Sequence, residues 1–169
     1  DGLTMEYGNL FRSTMPEGGG TIIYWGLTKI YDQNGNYIEY QYKTDNHQLR
    51  LHEIRYTGNS LEGLDPYNKI KFHYDDRHDD NFVYIGNNQI NSNYLLSKIE
   101  IDSDGGLFRT YEFAYTKSDL SLLKEIKEYN PDGEQLNPTI FLYGDKGAEF
   151  SVTQSIDPGI TSLATCDFD

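Results

Sequence analysis

The sequence is poor in cysteine and in basic residues. Cys166 is the only cysteine of the 169 residues, so no internal disulfide can form and a cysteine-ligated metal or redox site lacks a second thiol. The 14 Lys and Arg residues face 27 Asp and Glu, for a net charge of -13. Such a chain repels a phosphate backbone, so we expect neither nucleic acid nor an anionic membrane as a partner. No stretch approaches the roughly 18 apolar residues of a membrane-spanning helix, so membrane insertion is not expected.

Aromatic residues, by contrast, are abundant. The chain holds 15 Tyr, 8 Phe and 1 Trp, and tyrosine suits a half-buried pleated surface. Apolar and polar residues alternate in several segments, as at Ile70, Phe72 and Tyr74. Alternation places every second side chain on one face of a strand. These features predict an all-β fold.

Turn-forming residues separate the alternating segments. Asn-Gly and Asp-Gly pairs tolerate the positive φ of tight hairpin turns, and they recur at Asn34-Gly35, Asp104-Gly105 and Asp132-Gly133. Nine strands are predicted between such turns: Ile22 to Tyr31, Tyr37 to Lys43, Gln48 to Thr57, Tyr67 to Asp75, Phe82 to Ile85, Leu95 to Asp102, Phe108 to Thr116, Leu122 to Tyr129 and Thr139 to Tyr143.

One segment, Ser118 to Tyr129, also fits a helix. Asp119 could cap it, and Leu120, Leu123 and Ile126 have helical spacing. We favour a strand there because a turn follows and the neighbouring segments are all predicted strands.

The predicted hairpins form a loose internal repeat. Each begins with a Lys-Ile pair or similar residues, turns at Asp and Gly, and ends in alternating aromatics. Three copies are visible, and their markers are Ile30 with Tyr40 and Tyr42, Ile99 with Tyr111, Phe113 and Tyr115, and Ile126 with Phe141 and Tyr143. Because a single hairpin is marginally stable, stacked copies predict a curved, partly open sheet or shell.

The first copy resembles a known repeat. The residues from Tyr31 to Tyr42 read YDQNGNYIEYQY, which is similar to the YD repeat of RHS proteins. Further short motifs follow in order: Trp25-Gly26-Leu27-Thr28-Lys29-Ile30, Ile54-Arg55-Tyr56-Thr57-Gly58-Asn59, Phe72-His73-Tyr74-Asp75-Asp76-Arg77, Leu95-Leu96-Ser97-Lys98-Ile99 and Pro138-Thr139-Ile140-Phe141-Leu142-Tyr143. Together they resemble the N-terminal domain of the Salmonella virulence plasmid B (SpvB) family, which also begins insecticidal Tc toxin B components.

The resemblance covers roughly Gly2 to Tyr143 and implies a scaffold. In the family this region precedes FG-GAP repeats and an RHS shell that encloses a toxin, while the ADP-ribosyltransferase and the self-cleaving aspartates lie in other domains. It implies a non-catalytic module of a larger exported bacterial protein, secreted or on the cell surface, with other domains of the same polypeptide or a toxin cargo as partners. Residues 1–143 would form the β domain, and 144–169 a linker with a truncated FG-GAP start at Leu163 to Asp169.

The densest group of candidate ligands lies at the end of a predicted strand. It comprises His73, Asp75, Asp76, Arg77, His78, Asp79 and Asp80. These residue types suit zinc or another divalent ion. We favour a charged strand end with Arg77 paired to an aspartate, because alternation puts His73 and Asp75 on the face opposite Phe72 and Tyr74. No metal or cofactor is therefore expected.

Catalytic and phosphate-binding motifs are absent from the sequence. There is no Gly-x-Ser-x-Gly elbow, and Gly18-Gly19-Gly20 reads as a loop because no phosphate-binding strand pattern precedes it. His47 and His52 fit surface positions better than a general base. We predict no catalytic residue.

Trp25 and Tyr24 support an alternative function. Neighbouring aromatic rings can stack on sugar rings, as in carbohydrate-binding modules, although core packing explains most of the tyrosines. The alternative is a cell-surface binding module for glycans or a host protein.

Two local predictions complete the expectations. Asn34-Gly35 should form a true hairpin turn. The last 26 residues, Gly144 to Asp169, should be poorly integrated, and so either mobile or added as a strand to the main sheet or to a neighbouring molecule. Asp167 and Asp169 supply too few oxygens for calcium, so none should bind there.

Overall fold

A computed structural model describes residues 2–14, 22–45, 47–79, 81–85, 88–143, 150–154 and 165–166. These residues contain strands and turns and no helix, so none is long and apolar enough to cross a membrane. The strands are β1 Thr4–Thr14, β2 Ile22–Tyr31, β3 Asn36–Asp45, β4 Gln48–Asn59, β5 Asn68–Asp76, β6 Phe82–Ile85, β7 Asn88–Asn91, β8 Tyr94–Ser103, β9 Gly106–Tyr115, β10 Leu123–Tyr129, β11 Thr139–Tyr143, β12 Phe150–Gln154 and β13 Thr165–Cys166.

Eleven of these strands form one antiparallel sheet. Their order is β1-β2-β3-β4-β5-β8-β9-β10-β11-β12-β13, so every strand except β5 is followed in the sheet by the next strand of the chain. The β6 and β7 strands pair only with each other and form an inserted hairpin between β5 and β8. Within the described residues the sheet does not close into a barrel, because β1 and β13 are not paired. The predicted all-β class and open antiparallel sheet are confirmed.

All nine predicted strands are present, and three have the predicted ends: β2, β6 and β11. The strand preferred over a helix near Ser118 is β10, which begins at Leu123. The nine predicted strands do not include β1 or β7, and β12 and β13 fall in the C-terminal segment, for which an added strand was one of the two expectations. In β1, register shifts between Glu6 and Tyr7 and between Tyr7 and Arg12 break the alternation that marks a strand.

Four hairpins share one register. In each, an isoleucine pairs with the residue four positions before a tyrosine on the returning strand. These pairs are Ile30 with Ile38, Ile54 with Ile70, Ile99 with Tyr111 and Ile126 with Thr139. The three predicted copies are therefore confirmed, and β4–β5 is a fourth that the sequence reading missed because a longer connection separates its strands.

The tyrosine of each repeated hairpin bonds to the backbone of a leucine three positions before the isoleucine. The hydroxyl donates to the leucine carbonyl in three of them: Tyr74 to Leu51 at 2.9 Å, Tyr115 to Leu96 at 2.9 Å and Tyr143 to Leu123 at 2.6 Å. In the first hairpin, Tyr42 hydrogen-bonds to the backbone of Leu27. Burial, the main cause, raises the pKa of Tyr42, Tyr74 and Tyr115, so these hydroxyls stay protonated.

The two faces of the sheet differ in chemistry. One face carries isoleucine and aromatic side chains, as in the cross-strand row Tyr40, Ile54, Ile70, Ile101. The opposite face carries charges of alternating sign, as in the row Lys98, Glu112, Lys127. Facing charges of opposite sign stabilise neighbouring strands.

Among the hydrophobic side chains described, only Ile90 of the inserted hairpin is buried, with 8% of its surface exposed. The apolar side chains described in the eleven-stranded sheet keep at least partial exposure. Within the described residues, and apart from the inserted hairpin, the sheet is therefore a single layer without the second layer that normally covers an apolar face.

The turn at Asn34-Gly35 joins β2 to β3 as predicted. The Gly35 N–H donates to the Asp32 carbonyl at 3.2 Å, and the Asp32 carboxylate accepts from the N–H of Asn34 and of Asn36 at 2.9 Å. Of the pair, only Gly35 has positive φ, at 82°. The β10–β11 connection begins with the same turn, in which Asn130 replaces Asp32 and Gly133 replaces Gly35. Both residues of the pair have positive φ at Asp104 and Gly105, which join β8 to β9.

The backbone of 150–154 extends the sheet by pairing with β11, and β13 pairs with β12. This pairing is the added-strand form of the prediction for the C-terminal segment. Residues 144–149, 155–164 and 167–169 lie outside the described residues, as do most of the proposed FG-GAP start and Gly18-Gly19-Gly20. The domain boundary at 143 and the absence of calcium binding stay predictions.

Candidate functional site

An aromatic cleft lies on the described part of the sheet, and we refer to it as the Trp25 cleft. Its volume is about 660 Å³, and it lies between β2, the β3–β4 turn and the inserted hairpin. This volume is in the range of small-molecule sites, which are mostly apolar with a few placed polar groups.

Trp25 and Tyr24 form one wall. They are 58% and 48% exposed although both rings are large and apolar. Gly8 of β1 has φ of 71°, and a Cβ placed there would lie 2.3 Å from Cδ1 of Trp25. The Trp25 ring therefore lies against the Gly8 backbone, which positions the ring beside the cleft.

Tyrosines and an arginine form the floor. Gly26 is buried against the ring of Tyr42, since a Cβ at Gly26 would lie 2.9 Å from Cε2 of that ring. The guanidinium of Arg50 lies 3.5 Å from the ring centroid of Tyr94 and 5.6 Å from that of Tyr74. Such contacts combine cation–π attraction with packing. The Tyr94 hydroxyl donates a hydrogen bond to Asp45, whose carboxylate also lies 3.6 Å from Arg50.

The inserted hairpin forms the opposite wall. It contributes Phe82, Val83 and Ile90. At its base the Ser92 N–H donates to the Asn81 carbonyl at 2.6 Å. Asn81, Asn91 and Ser92 are exposed and give this wall a rim of amide and hydroxyl groups.

Two buried donors at the cleft have no hydrogen-bond acceptor among the described residues. They are Nε2 of Gln48 and Nε of Arg50, and both side chains line the cleft. A buried donor without an acceptor costs roughly 1 to 3 kcal/mol. The cleft thus combines exposed aromatic rings with unsatisfied donors.

The cluster that begins at His73 divides between two places. His73 lies on the charged face, where its Nε2 is 2.9 Å from Glu100, as the alternation predicted. Lys98 also bonds Glu100, at 2.7 Å. The Lys98 hydrogen bond first, and then His73, lower the pKa of Glu100 despite partial burial. These residues form part of the ion-pair rows.

Arg77 pairs with an aspartate, as predicted, and the partner is Asp79. Arg77 Nε lies 2.8 Å from Asp79 Oδ1, and the Asp79 side chain is only 2% exposed. The Asp79 carboxylate also accepts hydrogen bonds from the N–H and hydroxyl of Ser121. Burial alone would raise the pKa of Asp79, but the bonds from Ser121 and Arg77 outweigh it and hold the pKa well below its ordinary value.

His78 joins the same contact. Its Nε2 donates to the Ser118 carbonyl at 3.0 Å, and its Nδ1 lies 3.4 Å from the Ser121 hydroxyl. The Ser121 hydroxyl donates to Asp79 and not to a histidine base, so the arrangement differs from a nucleophile triad. We call it the Asp79 clamp, because it ties the end of β5 to the connection between β9 and β10.

The remaining candidates do not converge. His47 lies at the β3–β4 turn on the rim of the Trp25 cleft, and His52 lies in β4. Asp80 is outside the described residues. In the part of the chain that the structure describes, no group of three or more His, Cys, Asp or Glu side chains could hold a metal ion.

Sequence reasoning found one wall of the cleft and missed the other. Trp25 and Tyr24 are the predicted platform, but the residues facing them come from an insertion, and no sequence signal places this insertion against the sheet. The fourth hairpin did have a signal, because a leucine stands three positions before each isoleucine: Leu27, Leu51, Leu96 and Leu123.

Comparison with known proteins gives a structural likeness only. No protein-family profile matches the sequence, and no curated protein matches it. A solved structure described as TcdB2-TccC3-Cdc42 contains a similar chain, with a TM-score of 0.70 and 18% identity over 86% of this chain and 10% of that chain. The protein therefore shares the fold of part of a Tc toxin component and spans about a tenth of its length.

Proposed function

We propose that this chain is a non-catalytic structural module of a larger exported bacterial protein of the RHS and SpvB-like type. In that protein it forms part of a scaffold or toxin-enclosing shell, secreted or at the cell surface. Other domains of the same polypeptide are its first partners, and a toxin cargo or partner protein is the second.

The observation that carries this proposal is the uncovered apolar face of a single-layer sheet. Ile54, Ile70 and Ile101 lie side by side on it, and all three keep partial exposure. An apolar face left in water forgoes about 25 cal/mol for each Å² that a partner could cover. A shell wall supplies such a partner on its inner side and presents its charged face elsewhere.

The likeness to a Tc toxin component supports the same proposal, because the matched region is a small part of a much longer chain. The unequal faces add to this support. Ion pairs such as Lys71 with Asp102, at 2.7 Å, suit a face that stays in water.

Binding of the dye 1-anilinonaphthalene-8-sulfonate tests the proposal. The isolated 169-residue chain should enhance the dye's fluorescence, and the same region within the full-length protein should not, because its partners cover the apolar face. Ile101→Thr should weaken the enhancement, whereas Lys98→Thr on the charged face should leave it unchanged. Equal dye binding by the isolated chain and the full-length protein would contradict a covered face.

A further inference from the structure

We infer that the Trp25 cleft binds a neutral saccharide, with a pyranose ring stacked on Trp25. The inference is independent of the structural function, since the cleft lies at the inserted hairpin and not on the repeated hairpins alone. It assigns a ligand class to a site that a scaffold does not require.

The stacking wall is the first argument. Trp25 and Tyr24 are adjacent, 58% and 48% exposed, and beside a cleft instead of inside the sheet. A pyranose presents a flat patch of C–H groups, and indole and phenol rings offer rigid apolar surfaces of matching size. The close contact of Gly8 with the Trp25 ring holds this surface in place before a ligand arrives.

The polar groups are the second argument. The rim opposite the aromatic wall offers the side chains of Asn81, Asn91 and Ser92, which can donate to and accept from sugar hydroxyls. Gln48 Nε2 and Arg50 Nε also lack an acceptor among the described residues, but both atoms are buried below the floor, so the exposed rim groups are the ones that a sugar would meet. A wholly apolar occupant would remove water from these rim groups without replacing its hydrogen bonds.

Charge selects a neutral sugar over an acidic one. The single cation at the cleft floor, Arg50, is already stacked on Tyr94 and lies 3.6 Å from the Asp45 carboxylate. The chain as a whole carries a net charge of -13. A sialylated or uronic ligand would meet repulsion from this field and find no free positive partner among the described residues at the floor.

A glycan array of neutral and sialylated oligosaccharides, probed with the 169-residue chain, tests the inference. Saturable binding should be confined to neutral glycans. The best neutral glycan should then shift the emission of Trp25, which is the only tryptophan and so reports on the cleft directly. Calorimetry with the same glycan should show at least a tenfold loss of affinity for Trp25→Ala and a smaller loss for the exposed rim variant Asn91→Ala.

Tyr67→Ala is the matched control, because Tyr67 is 45% exposed and does not line the cleft. Its affinity should equal that of the unchanged chain. Three results would overturn the inference: no saturable binding of any neutral glycan, tighter binding of sialylated glycans than of neutral ones, or unchanged binding by Trp25→Ala. Circular dichroism of each variant separates lost binding from lost fold.

Discussion

The repeated hairpins and the inserted hairpin use the same residue types in opposite ways. In the repeated hairpins, aromatic side chains lie within a broad sheet, and Tyr74, Tyr115 and Tyr143 bond to backbone carbonyls. In the inserted hairpin, Phe82 and Tyr84 stack edge to face at 5.7 Å and remain 50% and 62% exposed. The tyrosine hydroxyl there bonds the exposed side chain of Gln89.

The difference indicates that the repeated hairpins stabilise the sheet, whereas the inserted hairpin shapes a binding surface. A hydroxyl that satisfies a backbone carbonyl on the preceding strand fixes the register of two strands at once, and the repetition of that bond builds the sheet. The inserted hairpin has four-residue strands that pair only with each other, so its register does not constrain the sheet. It is free to shape one wall of the Trp25 cleft.

The largest expected effect is at the turn of the first repeated hairpin. Gly35→Val should lower the free energy of unfolding by about 3 kcal/mol, because it adds backbone strain at positive φ to a steric clash. A Cβ at Gly35 would lie 2.7 Å from Leu61 Cγ. Urea denaturation measures the loss.

Gly133→Val is the matched control. Gly133 occupies the equivalent turn position with φ of 81°, and a Cβ there meets nothing within 4 Å. Gly133→Val should lower the free energy of unfolding by about 1 kcal/mol, because it adds backbone strain without a steric clash. Equal losses at the two glycines would show that the contact with Leu61 contributes nothing.

The next effect concerns the Asp79 clamp, which lies where the inserted hairpin leaves β5. The folded pKa of Asp79 is below its ordinary value of 3.8, so its stabilisation is present above that pH and is lost as the pH falls through the folded pKa. Asp79→Asn should therefore lower the free energy of unfolding at pH 7, and the difference from the unchanged chain should shrink below pH 4.

Urea denaturation at pH 7 and pH 3 checks this expectation. Asp75→Asn serves as the control, because Asp75 is exposed and lies next to the last residue of β5. If the difference in free energy of unfolding between Asp79→Asn and the unchanged chain stayed the same at both pH values, Asp79 would not contribute to the loss of stability in acid.

A smaller effect is expected from a single hydroxyl. Tyr115→Phe should lower the free energy of unfolding by about 1 kcal/mol, because the Leu96 carbonyl loses its donor. Tyr84→Phe in the inserted hairpin should change it by less than about 0.5 kcal/mol. Thermal denaturation compares the two variants. Equal losses of stability would contradict the view that only the repeated hairpins depend on the tyrosine hydroxyl.

Much of this fold could be predicted from the sequence, and the reasons are local. Strands β2 and β11 consist mostly of β-branched and aromatic residues and are followed by turn residues, so their limits could be predicted. The strand β7 reads Asn-Gln-Ile-Asn and has one apolar residue, so its pairing with β6 had no signal beyond the nearby turn.

The candidate site was harder to predict than the fold. Trp25 stood out as the only tryptophan, but Gln48 and Phe82 reach the same cleft through tertiary contacts. Such a site is hard to predict because its residues are far apart in sequence, and no sequence pattern shows which part of the sheet an inserted hairpin packs against. The Asp79 clamp was predicted only in its local pair with Arg77, and the contribution of Ser121 came from the structure.

The smallest effect is expected on the charged face. Lys98→Gln should lower the free energy of unfolding by less than about 0.5 kcal/mol and should lose even that at high salt, because its bond to Glu100 is partly exposed. Denaturation at 0.05 M and about 1 M salt measures the effect. A large, salt-independent loss would mean that this face is packed against something.

Residue-resolved native-state hydrogen exchange tests the central claim most directly. The account predicts that backbone amides in the four repeated hairpins exchange only through large openings with a shared dependence on denaturant, while those of β6 and β7 exchange through small local openings. If the amides of β6 and β7 had the same free energy of opening as those of the repeated hairpins, the result would contradict the account.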